Sequence, residues 1–274
     1  MKRVLVSGAF DDLRFKDYRF LEEASKLGSL QVLLWSDDAV QTATGKPPKF
    51  PQVEREYTLQ ANRHVASHTL LTGANNPDAL TEIAGSAKAD LWAVTQASVT
   101  PAKRQWAKSA GIQYQVISDA ALQTAPPTPP TPSNPQSARK KVLVTGSFDW
   151  FHSGHIRFFE ECAELGDLYV VVGHDANILL LKGPGHPLFP EAERRYICGS
   201  IRYVKTALIS TGHGWMDAEP ECDAIKPDIY AVNEDGDKPD KVAFCKKHGI
   251  TYTVLKRVPK PGLPRRMSTA LRGF

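Results

Sequence analysis

Val142-Leu143-Val144-Thr145-Gly146-Ser147-Phe148-Asp149-Trp150-Phe151-His152-Ser153-Gly154-His155-Ile156-Arg157-Phe158-Phe159-Glu160-Glu161-Cys162-Ala163-Glu164-Leu165 changes its periodicity part-way along. It begins as a run of β-branched apolar residues, breaks at Gly146, and then places Phe158, Phe159, Cys162 and Leu165 on one helical face. The pattern is a buried strand, a tight turn and a helix. His152 and His155 fall at the turn, where the first amides of a helix have no intrahelical partner. Those amides and the helix dipole favour an anion. Two histidines at the same place point to a phosphate chain that gains charge during reaction.

The rest of the second half continues the alternation. Strands are predicted near 141–146, 168–173, 204–209, 228–232 and 251–256, and helices near 153–165, 190–200, 215–224 and 238–248. Pro190 suits a first helical turn and Gly249 a helix end. Strands that are apolar throughout, alternating with helices, argue for a doubly wound parallel α/β sheet of Rossmann type. Ligands of such sheets bind at the carboxyl ends of the strands, near the point where strand order reverses. The histidine stretch follows the first strand of its half.

The chain is written twice. Lys2 to Asp37 and Lys140 to Asp175, displaced by 138 residues, are identical at 16 of 36 positions. Further on, 88–94 matches 226–232 and 111–116 matches 249–254. A repeat of this length means two domains of one fold in tandem. Between them Ala125-Pro126-Pro127-Thr128-Pro129-Pro130-Thr131-Pro132-Ser133-Asn134-Pro135 excludes helix and central strand, which predicts an extended spacer. The domains expected are 1–124, a linker over 125–139, and 140–274.

The two copies differ where chemistry is expected. Arg14-Phe15-Lys16-Asp17 stands where the second half has His152-Ser153-Gly154-His155. Both histidines and the small residue between them are gone, and Asp17 opposes a polyanion. Arg14 and Lys16 could still hold some anion, so one reading of the first half is a regulatory or divergent ligand site; the reading preferred is a degenerate copy retained for packing against its twin, in an intramolecular pseudo-dimer. A chain built this way is compatible with a monomer.

Composition sets broad limits. The 274 residues are 42% hydrophobic and 23% charged, with a net charge of +4, enough to bury two cores and stay soluble. This mild basicity suits nucleoside triphosphates and lacks the aromatic-interleaved basic patch of a nucleic-acid binder. Cys162, Cys198, Cys222 and Cys245 are too widely spaced for a Cys-x-x-Cys metal site and read as reduced thiols. No run reaches membrane-span length and no signal-peptide core follows Met1-Lys2-Arg3, which leads to the expectation of a cytoplasmic protein.

The ten residues from Gly146 to His155 match Gly-x-Phe-Asp-x-x-His-x-Gly-His in full, and the stretch closely resembles the signature of the cytidylyltransferase-like nucleotidyltransferases. The nearest likenesses are the glycerol-phosphate, ethanolamine-phosphate and choline-phosphate cytidylyltransferases, and the sugar-phosphate nucleotidyltransferases. The resemblance implies an enzyme that transfers a nucleotidyl group, with CTP favoured, from a nucleoside triphosphate to a phosphorylated small alcohol or sugar with release of pyrophosphate. It implies His152, His155 and Lys182 as catalytic residues. It implies Gly146, Ser147, Phe148, Arg194, Asn233, Asp235, Arg265, Arg266, Ser268 and Thr269 around the nucleotide, and Asp149 at the acceptor or a metal. A magnesium ion or another divalent cation would be held mainly by the phosphates. Glu54-Arg55 of the first half repeats Glu193-Arg194, which gives Arg194 a structural share as well. The basic tail, 256–272, matches the family's closing motif only at Met267-Ser268-Thr269. The rival readings are adenylyl transfer, as in sugar-phosphate, flavin or coenzyme A pathways, and a nucleotide-sensing or scaffold protein without turnover.

Overall fold

In the computed structural model, which describes residues 1–72 and 89–271, each half of the chain builds its own five-stranded sheet. Lys88 and Arg272, which enter the repeat and the basic tail, lie outside the described residues. The first compact unit is Met1–Thr124 and the second Ala125–Phe274.

In the first unit the strands are β1 (Arg3–Gly8), β2 (Ser29–Trp35), β3 (Ser67–Leu71), β4 (Leu91–Thr95) and β5 (Gln113–Ile117). Its described helices are α1 (Phe15–Ser25), α2 (Asp37–Thr44), α3 (Gln52–Ala61), α4 (Pro101–Ser109) and α5 (Asp119–Gln123). The second unit has β6 (Lys141–Gly146), α6 (Ser153–Leu165), β7 (Asp167–Val172), α7 (Asp175–Lys182), α8 (Glu191–Gly199) and β8 (Val204–Ile209). It continues with α9 (Glu219–Ile225), β9 (Ile229–Asn233), α10 (Pro239–His248), β10 (Thr251–Leu255) and the short α11 (Ser268–Leu271).

The sheet orders are β3-β2-β1-β4-β5 and β10-β9-β6-β7-β8, one order read from opposite ends. The strand pairs of both sheets are parallel. The central register repeats as well: Val4 lies opposite Leu91 and Leu5 opposite Trp92, as Val142 lies opposite Ile229 and Leu143 opposite Tyr230. Strand order reverses at β1/β4 and at β6/β9, which opens a crevice at the carboxyl ends of those strands.

The sheets are covered on both faces, so their central strands are apolar throughout. Val142, Leu143 and Val144 of β6 are fully buried, as are Val4, Leu5 and Val6 of β1. At about 1.5–3 kcal/mol for each fully buried Val or Leu side chain, such strands anchor the crevice that opens at their ends.

The proline run is less free than its composition suggests. Arg195 donates to the Pro126 carbonyl, Asn134 N–H donates to Ala224 O (2.6 Å), and the Lys141 ammonium reaches Asn134 Oδ1 (2.8 Å). Ser137 Oγ pairs with the Asp167 carboxylate (2.6 Å). The run is laid along the second unit. Proline lacks a donor but keeps its carbonyl, and composition could not show that one of those carbonyls meets an arginine.

Two helical assignments change. The predicted helix near 215–224 becomes a single 3-10 turn, Gly214–Met216, followed by α9, which carries Pro220 in its first turn. The segment with Leu181 and Lys182, which falls in none of the predicted helices, is the end of α7. His174 caps that helix by accepting the Asn177 N–H at Nδ1 (3.2 Å). Histidine is not among the usual cap residues, which hid the helix start.

Candidate active site

The crevice at β6/β9 is a cavity of about 400 Å³. Its floor is the signature turn. Gly146 ends β6, and Phe148 follows in the left-handed region at φ 47°. A Cβ on Gly146 would come within 2.9 Å of the Phe148 ring, so the glycine lets the ring fold back under the strand end. Phe148 then supports His155 edge-on at 5.4 Å, and Phe151 stacks on the same imidazole at 5.4 Å.

His152 is the N-cap of α6, and its Nδ1 accepts the Gly154 N–H at 3.1 Å. The two imidazoles stack with centroids 4.0 Å apart. Gly154 makes this possible, because a Cβ there would meet His152 Cε1 at 2.9 Å and Nδ1 at 3.0 Å. Burial, with Arg257 and Arg266 nearby, pushes the His152 pKa down to about 3. Burial, then His152, Arg257 and Lys182, holds His155 well below the ordinary value. Both rings are neutral at pH 7. Since Nδ1 of His152 accepts, its proton sits on Nε2, and that buried N–H has no hydrogen-bond partner. A donor of this kind is suited to a phosphoryl oxygen.

Lys182, at the end of α7, reaches across the floor to Ser147 Oγ (2.8 Å). Asn233, at the end of β9, lines the cavity, and its buried Oδ1 has no partner. Trp215 and Asp217 line the side under β7 and α7. The segment after β10 returns across the mouth. Its Ser268 Oγ donates to Trp150 O (3.2 Å), and Met267, Ser268 and Thr269 face the cavity. Asp235 is there too, paired with the Arg257 guanidinium.

Of the residues implicated from the sequence, Gly146, Ser147, Phe148, His155, Lys182, Asn233, Asp235, Ser268 and Thr269 line one cavity. His152 lies beneath His155. Four others go elsewhere. Arg194 is buried, and its guanidinium is consumed by protein acceptors: Phe189 O (2.8 Å), Ser147 O (2.5 Å), Gly173 O (2.9 Å) and Asp175 Oδ1 (2.7 Å). It braces the signature loop and does not face the cavity. Asp149 is buried and accepts from the Leu188 and Phe189 amides (2.7 and 3.0 Å), which fastens the loop ahead of α8. Its Oδ1 takes both amides, and Asp149 is not among the residues that line the cavity. Arg265 is exposed, 3.9 Å from Glu234, and with Arg266 lines a small adjoining hollow rather than the main cavity.

Two cations were not singled out. Arg257, read only as part of the basic tail 256–272, lies two residues past β10, at the carboxyl end of a parallel strand, where the strand-end rule points. Its Nη2 donates to Arg266 O (3.0 Å). Lys241 lies in α10 with its pKa lowered by burial, and it lines the cavity near the Tyr230 ring. The four cysteines are buried and free, and burial raises all four thiols, which removes them as nucleophiles.

The model of the cytidylyltransferase-like family matches residues 143–254. The FAD synthase of Thermococcus kodakarensis is 37% identical over 134 residues, 45% of this chain and 84% of the relative. The chain belongs to the cytidylyltransferase-like family. It is a nucleotidyltransferase, and the family match lies within the second unit. The FAD synthase of Archaeoglobus profundus is 35% identical over 119 residues, 42% of this chain and 73% of that protein. Among solved structures, the lipopolysaccharide core biosynthesis protein from Thermoplasma volcanium shows 28% identity over 44% of this chain and 98% of its own, with a TM-score of 0.36. Among the described residues of this nucleotidyltransferase no helix is long and apolar enough to cross a membrane.

Proposed function

We propose that the second unit transfers an adenylyl group from ATP to the phosphate of a flavin mononucleotide, releasing pyrophosphate. The observation that carries this reading is the name shared by relatives 35–37% identical over most of their own lengths, FAD synthase. FAD joins a flavin mononucleotide to AMP through a pyrophosphate link, so its formation from ATP is an attack by an acceptor phosphate oxygen on the α-phosphorus. The bond from the α-phosphorus to the β-bridging oxygen breaks, and no covalent enzyme intermediate is needed.

The cavity suits that chemistry. His155 and the buried Nε2–H of His152 act as donors to the α-phosphate as charge builds on it, and Lys182 follows the leaving pyrophosphate. Donors placed for charge that develops only in the transition state are the strongest single contribution such a site makes. Arg257 and the Ser268–Thr269 amides close on the outer phosphates. Asn233 offers Oδ1 to the exocyclic amino group of the base. Trp215, half exposed on the cavity wall, provides a flat face for the isoalloxazine ring. Among the described residues no group of three His, Cys, Asp or Glu is arranged to hold a metal. A divalent cation in this reading rides on the triphosphate oxygens and supplies charge neutralisation there.

Cytidylyl transfer is the second reading, favoured by the Phe148–His155 stretch, which is of choline-phosphate type. One experiment separates them. The protein is incubated with flavin mononucleotide and each of ATP, CTP, GTP and UTP, and both pyrophosphate and FAD are measured. FAD formed from ATP alone is the expected result. Pyrophosphate released only with CTP, on a panel of phosphorylated alcohols, would replace adenylyl transfer by cytidylyl transfer.

A further inference from the structure

The first unit has its own cavity at the same topological position, at the carboxyl ends of β1 and β4. It measures about 270 Å³, which suits a small ligand. The repeat shows how its lining was changed. Asp17 stands where the second unit has His155, Trp35 where it has Gly173, and Trp92 where it has Tyr230. Phe10 keeps the left-handed conformation of Phe148, at φ 46°. An anion-binding floor has become an aromatic box with a carboxylate at its rim.

That box is rigid and chemically incomplete. Trp35 Nε1 donates to Ser7 Oγ (2.9 Å), which fixes its ring. Trp92 is 2% exposed and meets Trp106 and Tyr114 edge to face at 5.6 and 5.7 Å. Its indole Nε1–H is buried with no hydrogen-bond partner. Its counterpart Tyr230 has one, pairing through its hydroxyl with Thr145 Oγ1 (2.8 Å). Indole nitrogen can only donate, and a buried donor without an acceptor is destabilising. Native proteins satisfy nearly all such groups. A ligand atom that accepts from Trp92 would remove this cost. Asp17, whose Oδ2 accepts the Arg14 N–H (2.8 Å), places a carboxylate where a phosphate would have to lie. The Lys103 ammonium, the counterpart of Lys241, donates to Ser98 O (3.3 Å).

We propose that the first-unit cavity binds a planar, uncharged heteroaromatic compound that carries a ring acceptor for Trp92 and no phosphate. Nucleosides and phosphate-free flavins share this chemistry. The site is distinct from the transfer site and does not depend on which nucleotide is used there.

The test is hydrogen exchange on the full chain with adenosine, riboflavin, AMP, flavin mononucleotide and ATP, read in peptides covering β1, β4 and the residues just after them. Adenosine or riboflavin is expected to slow exchange there, and the phosphorylated probes to slow it at least tenfold less effectively. Trp92→Phe keeps the ring but removes the N–H, and should weaken the effect roughly two- to tenfold, the equivalent of one neutral hydrogen bond. Asp17→His, a change at an exposed rim position, should narrow the gap between ATP and adenosine and so tests the charge argument independently of Trp92. Absence of first-unit protection by both phosphate-free probes at millimolar concentration would overturn the proposal. So would protection by ATP equal to that by adenosine in the unsubstituted chain.

Discussion

Gly146, Phe148, Asp149 and Arg194 divide from His152, Gly154, His155 and Lys182 when the two halves are laid over one another. The first set survives in both copies: Phe10 keeps the left-handed conformation of Phe148, and the aspartate and arginine keep their partners. Asp11 accepts from the Lys49 and Phe50 amides (2.7 and 2.9 Å) as Asp149 does from Leu188 and Phe189. Arg55 binds Phe50 O, Ala9 O, Trp35 O and Asp37 just as Arg194 binds its own four acceptors. These residues hold the turn in shape. The second set belongs to the phosphate site of the proposed reaction, and the first half has none of it. His155→Ala should therefore lower kcat by roughly a hundredfold or more with an unchanged circular dichroism spectrum, as deletion of a transition-state donor does. Arg194→Met should instead cost about 3–5 kcal/mol of stability, because the Asp175 carboxylate and three carbonyls lose their partner. Chemical denaturation of the second unit reads that loss. The depressed His152 pKa gives a pH signature. The unfolded chain takes a proton on this ring near pH 6.5, the folded chain only near pH 3. Between those values the unfolded state holds the extra proton, so stability is full above about pH 6.5 and falls as the pH drops toward 3. His152→Gln should flatten that acid branch relative to the unsubstituted protein in urea titrations across the range.

At the scale of elements, α7 and the turn at Gly212–Met216 form one unit of the cavity wall. His174 caps α7 with Nδ1, and its Nε2 meets Gly212 O (2.9 Å). Asn177 exchanges two hydrogen bonds with the Gly214 backbone (3.1 and 2.7 Å). Lys182 and Trp215, carried by these two segments, both line the cavity. Asn177→Ala should raise the KM for the acceptor several-fold more than it lowers kcat, since it loosens positioning without removing a phosphate donor. Steady-state kinetics with the nucleotide saturating is the measurement. Alternation of strand and helix was legible from apolar runs and from Pro190 and Gly249. The α7 helix was not, because histidine carries no cap signal and its partners lie within the helix and nearly forty residues further along the chain.

Across the whole molecule, the charge of +4 gives no hint of where the cations collect. In the second unit Lys182, Lys241 and Arg257 converge on one cavity from α7, α10 and the end of β10. Attraction of a triphosphate by such a cluster is screened by salt, so the KM for the nucleotide should rise steadily between low and high ionic strength while kcat changes little. A KM independent of salt would mean that these cations do not face the triphosphate. The sequence by itself determined the repeat, the doubly wound architecture and the signature at the first strand end, because periodicity and a contiguous ten-residue pattern are local. It also placed the two histidines together, since they are three residues apart on one turn. Tertiary structure decided which arginines line the cavity. Local pattern does not tell Arg194, inside a predicted helix, from Arg257, just after a predicted strand, as ligand-facing cations. Only the fold surrounds the first with four acceptors and leaves the second at the cavity mouth, because a long side chain's role is set by the partners that distant segments bring within hydrogen-bond reach.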